Sequence, residues 1–404
     1  MTVPKLRFKE FDGGWTKSTI QFFMDNNFIL DQMDGNHGEL YPKSEEFSAT
    51  GVPYISATDF SFGDVNFATC KRLPIERAKL FKKGIAKNGD VLFAHNATVG
   101  PVAILKTDLD FVILSTTATY YRCEATYLNN HYLKNYFESD FFVQQYFGIM
   151  SQSTRNQVPI TTQRKLNIAV PNIQEQTKIA SFLSAVDEKI SQLTQKHELL
   201  SQYKQGMMQK LFSQQLRFKA DDGSEFREWE EKELKDIAEI NPKSKKLPES
   251  FIYIDLESVE KGQLLLQKNI ELQDAPSRAQ RLLAKGDVLF QMVRPYQQNN
   301  YYFNLSGEYV ASTGYAQIRT KLDSKFIYYA LHEKTFLDEV MNRCTGTSYP
   351  AINSSDLSSI EILIPCLEEQ TKIANVLSAI DQKIEVISKQ IEQAKQWKKG
   401  LLQQ

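Results

Sequence analysis

Residues 175–180 read EQTKIA, and residues 369–374 read EQTKIA again. When 173–210 is aligned with 367–404 without gaps, 17 of 38 positions are identical. The offset between the two copies is 194 residues, about half of the 404-residue chain. A repeat this long is not a solenoid or propeller repeat, which has a period of roughly 20–50 residues.

Further motifs recur in the same order around these two segments. GDVLF stands at 89–93 and at 286–290, and the apolar runs LNIAVP and IEILIP each end shortly before a repeated segment. RFK occurs at 7–9 and at 217–219, each time followed by an acidic, glycine-containing stretch and then a tryptophan. The order is arm, globular unit and helix, repeated once. It predicts a duplicated domain with pseudo-two-fold symmetry.

Both EQTKIA segments open long predicted helices without proline. Apolar residues follow at alternating spacings of four and three, as in Ile179, Leu183, Val186, Ile190 and Leu193, which is the seam of a coiled coil. We expect each helix to have about 35 residues. The natural partner of each seam is the other copy. Parallel and antiparallel pairing are both sterically open, symmetric exchange of the copies favours antiparallel pairing, and packing of each helix on its own globular unit is the alternative.

Residues 18–170 and 232–364 form the two predicted globular units. Short runs rich in Val, Ile, Phe and Tyr predict strands at 52–57, 90–94, 102–106, 111–115, 118–123, 251–256, 287–292 and 315–320. Helices are expected around 75–87, 127–147, 278–284 and 324–343. The predicted fold class is α/β (α+β), with two mixed α/β domains joined by the two long helices.

The composition excludes several classes of protein. Charged residues make up 24% of the chain and hydrophobic residues 42%, as in ordinary globular domains. No stretch approaches the ~18 consecutive apolar residues of a membrane span. The first residues lack an apolar signal sequence and the four cysteines stand far apart, so we expect a protein of the reducing cytoplasm. With a formal net charge of -1, a nucleic-acid binder would have to concentrate its positive charge locally.

Recognisable catalytic motifs are absent from the sequence. There is no G-x-x-x-x-G-K-[ST] phosphate loop, no G-x-G-x-x-G after a strand and no [ND]-P-P-[YF] methyltransferase motif. Nuclease-like D-x-K triplets at 187–189 and 381–383 lie inside the heptad helices, where a coiled-coil role is the simpler interpretation. We therefore expect no catalytic and no metal-binding residues, and a binding and scaffolding protein.

Polar loops recur at equivalent places in both units, after GDVLF and before the closing strand. Surface loops are polar in most proteins, but Arg, Lys, Asn, Gln, Ser, Thr and His are also the side chains that hydrogen-bond base edges and phosphates. Repeated motifs around loops of different sequence are what we expect of two domains that recognise two different DNA sequences. The candidate DNA contacts of the first unit are Lys82, Lys83, Lys87, His95, Asn96, Thr98, Thr154, Arg155, Asn156 and Gln157. Those of the second unit are Arg294, Tyr296, Gln297, Gln298, Arg343, Thr345, Thr347, Ser348 and Tyr349.

These repeated helices, GDVLF strands, closing apolar runs and RFK arms make the whole chain resemble the specificity subunit of a type I restriction–modification enzyme. The resemblance implies two target recognition domains, each reading one half of a bipartite DNA site, and an antiparallel coiled coil as spacer. The implied division is 1–174 (arm and first recognition domain), 175–213 (first helix), 214–368 (second arm and recognition domain) and 369–404 (second helix).

The same resemblance implies that other subunits carry the chemistry. Two methyltransferase subunits and two ATP-dependent restriction subunits would assemble with this chain on double-stranded DNA, in a bacterial or archaeal cytoplasm. They would bring S-adenosylmethionine, ATP and Mg²⁺, with adenine as the methyl acceptor and no cofactor in this chain. Two alternatives stay open: a solitary sequence-specific DNA-binding scaffold without nuclease partners, and a coiled-coil adaptor that binds no DNA.

Overall fold

The computed structural model describes residues 6–61, 63–151, 156–243 and 246–403. The chain divides into two compact units, the first comprising Met1–Gln195 and Ser388–Gln404 and the second Lys196–Ile387. Each unit therefore contains one globular domain, one part of the first long helix and one part of the second. The boundaries 1–174, 175–213, 214–368 and 369–404 remain a prediction.

The elements of the first unit alternate short strands with short helices and end in a long helix that continues into the second unit. The strands are β1 (Thr16–Thr19), β2 (Ile29–Asp34), β3 (Val52–Ile55), β4 (Phe60–Ser61), β5 (Asp64–Val65), β6 (Lys71–Leu73), β7 (Ile85–Ala86), β8 (Val91–Asn96), β9 (Thr98–Ile104), β10 (Val112–Leu114), β11 (Ala118–Cys123) and β12 (Asn167–Val170). The helices are α1 (Ile20–Asp25), α2 (Ile75–Ala78), α3 (Asn130–Glu138), α4 (Asp140–Met150), α5 (Ile160–Gln163) and α6 (Ile173–Phe212).

The second unit repeats this order and ends in a second long helix. Its strands are β13 (Glu230–Glu233), β14 (Ala238–Ile240), β15 (Ser250–Ile254), β16 (Val259–Glu260), β17 (Gln263–Leu264), β18 (Lys268–Glu271), β19 (Ala279–Leu282), β20 (Val288–Gln291), β21 (Tyr301–Tyr302), β22 (Tyr309–Ser312), β23 (Tyr315–Thr320) and β24 (Glu361–Ile364). Its helices are α7 (Leu234–Ile237), α8 (Ser324–Ala330), α9 (Lys334–Arg343), α10 (Ser354–Ser358) and α11 (Leu367–Leu402). Single 3₁₀ turns lie at Gly38–Leu40, Ser44–Glu46, Ala57–Asp59, Leu272–Asp274 and Pro295–Gln297.

The sheets of the two units have the same topology. An antiparallel sheet with the order β2-β11-β8-β9 corresponds to β14-β23-β20-β21. A mixed sheet with the order β6-β3-β10-β7 corresponds to β18-β15-β22-β19, and the central pair is parallel in both, β3 with β10 and β15 with β22. A two-stranded ribbon, β1 with β12 or β13 with β24, joins the arm to the strand before the long helix. The predicted duplication and mixed α/β fold class are confirmed.

Two predicted helices are wrong. Around 75–87 only α2 is helical, and the chain then becomes β7. Helix α2 ends at Ala78, and Gly84, with a φ of +67° and its backbone against Gly35, where a Cβ would approach the Gly35 Cα to 2.8 Å, does not fit a helix over 75–87. Residues 278–284, also expected to be helical, contain β19, which pairs with β22. Pairing with a strand distant in sequence overrides local helix propensity at both places.

The GDVLF motif is part of the framework. Its aspartates, Asp90 and Asp287, are almost completely buried. Arg122 donates to both oxygens of Asp90 at 3.0 and 2.7 Å, and Arg319 donates to both oxygens of Asp287 at 2.8 Å. Burial raises the pKa of Asp90 even though the Arg122 hydrogen bonds favour the charged form. The motif therefore recurs because each sheet needs the same buried ion pair.

The repeated Glu-Gln of EQTKIA fixes the start of α6. The buried Glu175 carboxylate accepts hydrogen bonds from Nε and Nη2 of Arg7, in the first RFK arm, both at 2.6 Å. The Gln176 amide donates to the carbonyl oxygens of Pro171 and Tyr127 at 2.9 and 3.0 Å. One residue thus holds the arm, and its neighbour holds the strand that leads into the helix.

The start of α11 is built in the same way. Arg217, from the second RFK arm, donates to Glu369 at 3.2 and 3.0 Å, and the indole N–H of Trp229 donates to the same carboxylate at 3.1 Å. Gln370 donates to the carbonyl of Pro365 at 2.8 Å. Both arms are therefore bound to a helix start by a buried carboxylate, which explains why RFK and EQTKIA are repeated together.

The two long helices pair inside each unit through equivalent ion pairs. In the first unit Lys398 Nζ lies 2.8 Å from Asp187 Oδ1, and in the second Lys204 Nζ lies 2.6 Å from Asp381 Oδ1. These are the same two positions, because each residue lies 194 positions from its counterpart. In the second unit the chain runs forward from Lys204 to Leu211, while its partner helix runs back from Asp381 to Ile373 in the same hydrophobic cluster. The pairing there is antiparallel, as the symmetry argument favoured.

The long helices are 40 and 36 residues long, close to the expected length. Each also packs on its own globular domain, since Ala180 and Ile179 belong to the hydrophobic core of the first unit and Ile373 and Leu377 to that of the second. The aspartates of the two D-x-K triplets are the acidic members of the interhelical ion pairs.

The buried carboxylate at the start of α11 should be important for stability. Replacement of Glu369 by Ala leaves Arg217 and the Trp229 indole N–H without their acceptor, so we expect unfolding to become easier by about 3 kcal/mol. Urea denaturation followed by tryptophan fluorescence measures this. The matched control is Glu368→Ala, because the adjacent carboxylate is exposed and its loss should cost under about 0.5 kcal/mol. Equal midpoints for the two variants would contradict the assignment.

Candidate nucleic-acid interfaces

Two loops come together at one end of the antiparallel sheet of the first unit. The turn between β8 and β9 has its apex at Ala97, whose φ of +64° is left-handed. The Ala97 N–H donates to the carbonyl of Asn156 at 3.0 Å, and the Val158 N–H donates to the carbonyl of His95 at 2.8 Å. We call 95–98 with 156–158 the first loop pair. It brings the predicted residues Asn96, Thr98, Asn156 and Gln157 together, with Thr98 and Asn156 exposed and the other two half-buried.

The expectation that His95 contacts DNA is revised. Its side chain is only 5% exposed, and its Nδ1 lies 2.9 Å from the Thr119 hydroxyl. Burial lowers the pKa of His95 to about 4, so the ring is neutral at physiological pH. The Gln163 amide continues the network, donating to Thr119 Oγ1 at 3.2 Å and to the Val158 carbonyl at 2.7 Å. His95 therefore holds the loop pair in place.

The predicted lysines lie at opposite ends of the domain. Lys82 and Lys83 are exposed, and the Lys83 carbonyl accepts from the Asn36 amide at 2.5 Å. Asn36 follows β2, which ends at Asp34. Asp34 pairs with Thr119 of β11, and Thr119 pairs with Phe93 of β8, close to the first loop pair. Both lysines are therefore at the same end of the sheet as the first loop pair.

Three other predicted residues do not join this group. The Lys87 N–H donates to Asp90 just before β8 begins, so this lysine is one strand length, roughly 20 Å, from the first loop pair. Thr154 and Arg155 lie outside the described residues.

The second unit places two loops at the equivalent position. The Arg294 N–H donates to the Pro350 carbonyl at 2.7 Å, and the Ile352 N–H donates to the Met292 carbonyl at 3.0 Å. Arg294 stands where the first unit has Ala97, and its φ of +55° is left-handed as well. We call 292–298 with 345–352 the second loop pair. The same backbone geometry in both copies identifies these loops as a repeated feature of the fold.

The side chains of the second loop pair differ from those of the first. The Arg294 guanidinium lies over the ring of Tyr349, with its carbon 4.3 Å from the ring centroid. Tyr349 is 63% exposed and Tyr296 51%, so two aromatic faces reach solvent. A left-handed conformation at a non-glycine residue costs of order ~1 kcal/mol, and residues held in such conformations cluster at functional sites.

Buried amides hold the longer loop in shape. The Gln291 amide donates to the Val293 carbonyl at 2.8 Å and to Gln297 Oε1 at 2.9 Å, and its N–H donates to Asn300 Oδ1 at 2.8 Å. Gln298 is half-buried and donates to the carbonyl of His332 at 3.4 Å. Gln297 is exposed, and its Oε1 is the atom that accepts from Gln291.

The segment before the closing strand is largely exposed. Thr345, Thr347 and Ser348 all face solvent, and Thr345 exchanges two backbone hydrogen bonds of 2.9 Å with Ala351. Arg343 is different. It is half-buried at the end of α9 and donates to the Ser359 hydroxyl at 2.8 Å and to the Asp356 carbonyl at 3.2 Å. The DNA contact of Arg343 stays a prediction, and in the structure its guanidinium ties α9 to α10.

Two residues near the loop pairs were absent from the predicted set. His37 follows β2 and is exposed, and a positive charge on its ring lowers the pKa of His95. Arg278 is exposed, and its carbonyl accepts from the Thr313 N–H beside the second loop pair. The glycines around His37 in GNHG were a turn signal. Arg278 stands before the second GDVLF, in the segment that supplied Lys82, Lys83 and Lys87 in the first unit.

Metal and membrane sites receive no support from the described residues. In 6–61, 63–151, 156–243 and 246–403 no group of three His, Cys, Asp or Glu side chains is placed to bind a metal ion. Within the same ranges, none of the helices combines the length and the apolar character needed to cross a bilayer.

The buried His95 should make the first unit sensitive to acid. The unfolded chain takes up a proton near pH 6.5 and the folded chain only near pH 4, so stability is lost as pH falls below 6.5. At pH 5 the loss should be about 2 kcal/mol. His95→Asn, which keeps an amide near Nδ1, should lose less stability between pH 7 and pH 5, by denaturant unfolding. His197→Asn, in α6 and outside the first loop pair, is the control. An identical pH dependence in His95→Asn and the parent chain would disprove the role.

Comparison with known proteins identifies the family. The model of the type I restriction modification DNA specificity domain matches residues 31–202 and again 227–396. The putative type I restriction enzyme MjaX specificity subunit of Methanocaldococcus jannaschii is 29% identical over 333 residues, which cover 78% of this chain and 76% of the relative. The MjaVIII specificity subunit of the same organism is 28% identical over 256 residues, 59% of this chain and 60% of the relative.

Solved structures share the fold. The S subunit of a type I restriction–modification system from M. genitalium superposes with a TM-score of 0.60 at 17% identity, over 100% of this chain and 98% of that chain. A chain from a structure describing assembly and conformational transition of the type I system gives 0.56 at 19% identity, over 97% of both. Since the two matches to the domain model together span most of the sequence, this chain belongs to the family of type I restriction–modification DNA specificity subunits.

Proposed function

We propose that each unit reads one half of a bipartite duplex DNA site through its loop pair. The observation that carries the proposal is that two loops are docked by the same backbone hydrogen bonds in both units, while their side chains differ. The backbone arrangement of the loops is thus the same in both units, and only the side chains that they present differ. This arrangement suits a protein whose two copies recognise two different half-sites.

The first loop pair offers amide and hydroxyl groups. Asn and Gln side chains can bind N6 and N7 of adenine in the major groove with two hydrogen bonds, and a Thr hydroxyl can bind several bases. Asn96, Asn156 and Gln157 supply the amides and Thr98 the hydroxyl. Lys82 and Lys83 at the same end would contact phosphates, which contributes affinity without sequence preference.

The second loop pair offers a guanidinium with aromatic support. Arg294 can donate two hydrogen bonds to O6 and N7 of guanine or to a phosphate, and stacking on Tyr349 would restrict its orientation. The same loop pair also contains Tyr296, Gln297, Gln298, Thr345, Thr347 and Ser348. Because Ala97 takes the place of Arg294 in the first unit, the two half-sites should differ in sequence.

The catalytic steps belong to partner subunits in this proposal. A methyltransferase that uses S-adenosylmethionine to modify adenine, and a restriction subunit that uses ATP and Mg²⁺, would assemble with this chain, two copies of each. The complex would act in the cytoplasm of a bacterium or archaeon. The relatives named above are specificity subunits, which supports this assignment.

Exchange of one unit tests whether each reads its own half-site. If residues 18–170 are replaced with the same region of another specificity subunit, only one half of the methylated site should change, because base contacts are local to the loops. Sequencing that maps methylated adenines in cells expressing the complex gives the result. A change in both halves would rule out one unit per half-site.

Arg294 should be required for DNA binding. Arg294→Ala should weaken binding by about 1–3 kcal/mol if the contact is to a base, with relaxed preference at one position. If the contact is to a phosphate, all sequences should weaken alike and the salt dependence should decrease. Fluorescence anisotropy with duplex DNA over a salt series separates these cases. Arg227→Ala is the matched control, an exposed arginine of the second arm; equal affinities for both variants would refute the role of Arg294.

A further inference from the structure

A further loop lies beside each loop pair, at one end of the mixed sheet. In the first unit it is the turn 56–59, which follows β3, and in the second unit it is the turn 255–258, which follows β15. We call these the first and the second mixed-sheet turn. Neither turn belongs to a loop pair, and the function proposed above gives neither of them a role.

Thr117 connects the first mixed-sheet turn to the first loop pair. This residue lies in the connection between β10 and β11. Its hydroxyl accepts from the Ala57 N–H at 2.9 Å, and its carbonyl accepts from the His95 N–H at 3.0 Å. The turn and the loop pair are therefore neighbours at the same end of the domain.

Gly314 has the equivalent position in the second unit, between β22 and β23. Its carbonyl accepts from the N–H of Met292, the first residue of the second loop pair, at 3.0 Å. A Cβ on Gly314 would approach the Leu256 side chain to 3.0 Å, so the second mixed-sheet turn packs directly against this glycine. Both units thus place the turn beside the loop pair.

The same hydrogen bonds close both mixed-sheet turns, although the residue types are exchanged. The first turn opens with Ser56 and closes with Asp59, while the second opens with Asp255 and closes with Ser258. The serine hydroxyl donates to the aspartate carboxylate at 2.8 Å in the first turn and at 2.7 Å in the second. The N–H of the opening residue donates to the closing side chain at 2.8 and 3.2 Å. The shape of the turn is therefore repeated without repetition of its sequence.

The third residue of each turn is exposed, and it differs between the units. It is Thr58 in the first turn and Glu257 in the second. The Thr58 hydroxyl lies 2.8 Å from the Ser56 hydroxyl, whereas the Glu257 carboxylate has no ion-pair partner in the described part of the chain. The mixed-sheet turns therefore have the property of the loop pairs, a common backbone that presents different side chains.

An unpaired carboxylate beside a DNA-binding loop is restricted in what it can bind. It is repelled by phosphates, since both groups are negatively charged, and it accepts hydrogen bonds but donates none. The N4 amino group of cytosine is the donor in the major groove that Glu and Asp side chains typically bind. Glu257 can therefore select a base but cannot add general affinity for DNA.

We propose that the mixed-sheet turns extend the DNA-reading surface, with Thr58 and Glu257 as specificity-determining residues, and that Glu257 accepts a hydrogen bond from N4 of a cytosine in the second half-site. This inference rests on the proposed function, because it assumes that DNA lies against the loop pairs. The Thr58 hydroxyl both donates and accepts, so it fits several bases in the first half-site.

Binding of altered duplexes measures the contribution of Glu257. The parent site is obtained by mapping methylated adenines, and duplexes are made in which each base pair of the second half-site is changed in turn. The chain assembled with methyltransferase subunits is titrated with each duplex by fluorescence anisotropy. For the parent, replacing the cytosine should weaken binding at least about tenfold, and in Glu257→Ala this ratio should fall to about twofold or less.

The affinity for the altered duplexes distinguishes base recognition from other roles. Glu257→Ala should bind them as tightly as the parent or more tightly, because a carboxylate near phosphates has been removed. Uniform weakening on all duplexes would overturn the proposal, since it would indicate a structural role. Unchanged discrimination at every position would overturn it as well.

Glu249→Ala is the matched control. Glu249 is also an exposed glutamate, but it precedes β15, so it lies one strand length, roughly 17 Å, from the turn that follows this strand. This variant should discriminate between the duplexes as the parent does. Glu257→Gln should prefer adenine at the position of the cytosine, because an amide binds N6 and N7 of adenine. Retention of the cytosine preference in Glu257→Gln would contradict a direct base contact.

Methylation maps separate this inference from the proposed function. Glu257→Gln should change one position in the second half of the methylated site and leave the first half unchanged. If the parent complex methylates no bipartite site, the proposed function itself fails. If Arg294→Ala alters the second half while Glu257→Gln leaves the site as it is, the proposed function stands and only the role of the mixed-sheet turn is overturned.

Discussion

A buried carboxylate at the start of a long helix organises each unit. Glu175 and Glu369 are inaccessible to water, and each is paired with an arginine of an arm that lies far away in the sequence. A buried charge without such a partner would be strongly unfavourable, so folding of the helix start requires the arm. The strand after each arm pairs with the strand that leads into the helix. Both ends of each globular domain are thus fixed at one point.

The sequence predicted those parts of the structure that the duplication repeats. The strands at 118–123 and 315–320 agree with β11 and β23 residue for residue, and the long helices begin within two residues of EQTKIA. The strands follow from local runs of apolar residues, and the long helices follow from the repeated EQTKIA segments. Their repetition reflects buried ion pairs and helix seams that both units need.

The errors occurred where distant pairing or burial decides the outcome. The segments 75–87 and 278–284 have local helical character, but β7 and β19 complete sheets with strands about thirty residues away in sequence. The polar character of His95 predicted a surface contact, whereas its side chain is buried beneath the first loop pair. Neither the strand pairing nor the burial can be predicted from the local sequence. The positions of the two loop pairs, in contrast, followed from their recurrence.

The two units hold their loops by different means. In the first, Gln163, Thr119 and His95 form a buried polar network under the loop pair. In the second, Leu357 stands at the position of Gln163 and is fully buried. Hydrogen bonds of the buried amides of Gln291 and Asn300 hold the second loop pair instead, and amides do not change charge with pH as a histidine does. The repeat therefore preserved the position of the loops rather than the interactions beneath them.

Docking of the loops through backbone groups has an evolutionary consequence. Since peptide N–H and carbonyl groups join 97 to 156 and 294 to 350, the side chains at the surface of these loops carry little of the folding energy. Substitutions there can accumulate without loss of the native structure. Ala97 and Arg294 illustrate this freedom, because they share one backbone conformation and differ in size, charge and hydrogen bonding. With DNA read by the loop pairs as proposed, a lineage carrying this scaffold can acquire a new target sequence by point mutation in either loop pair, one half at a time, while the rest of the fold stays under unchanged selection.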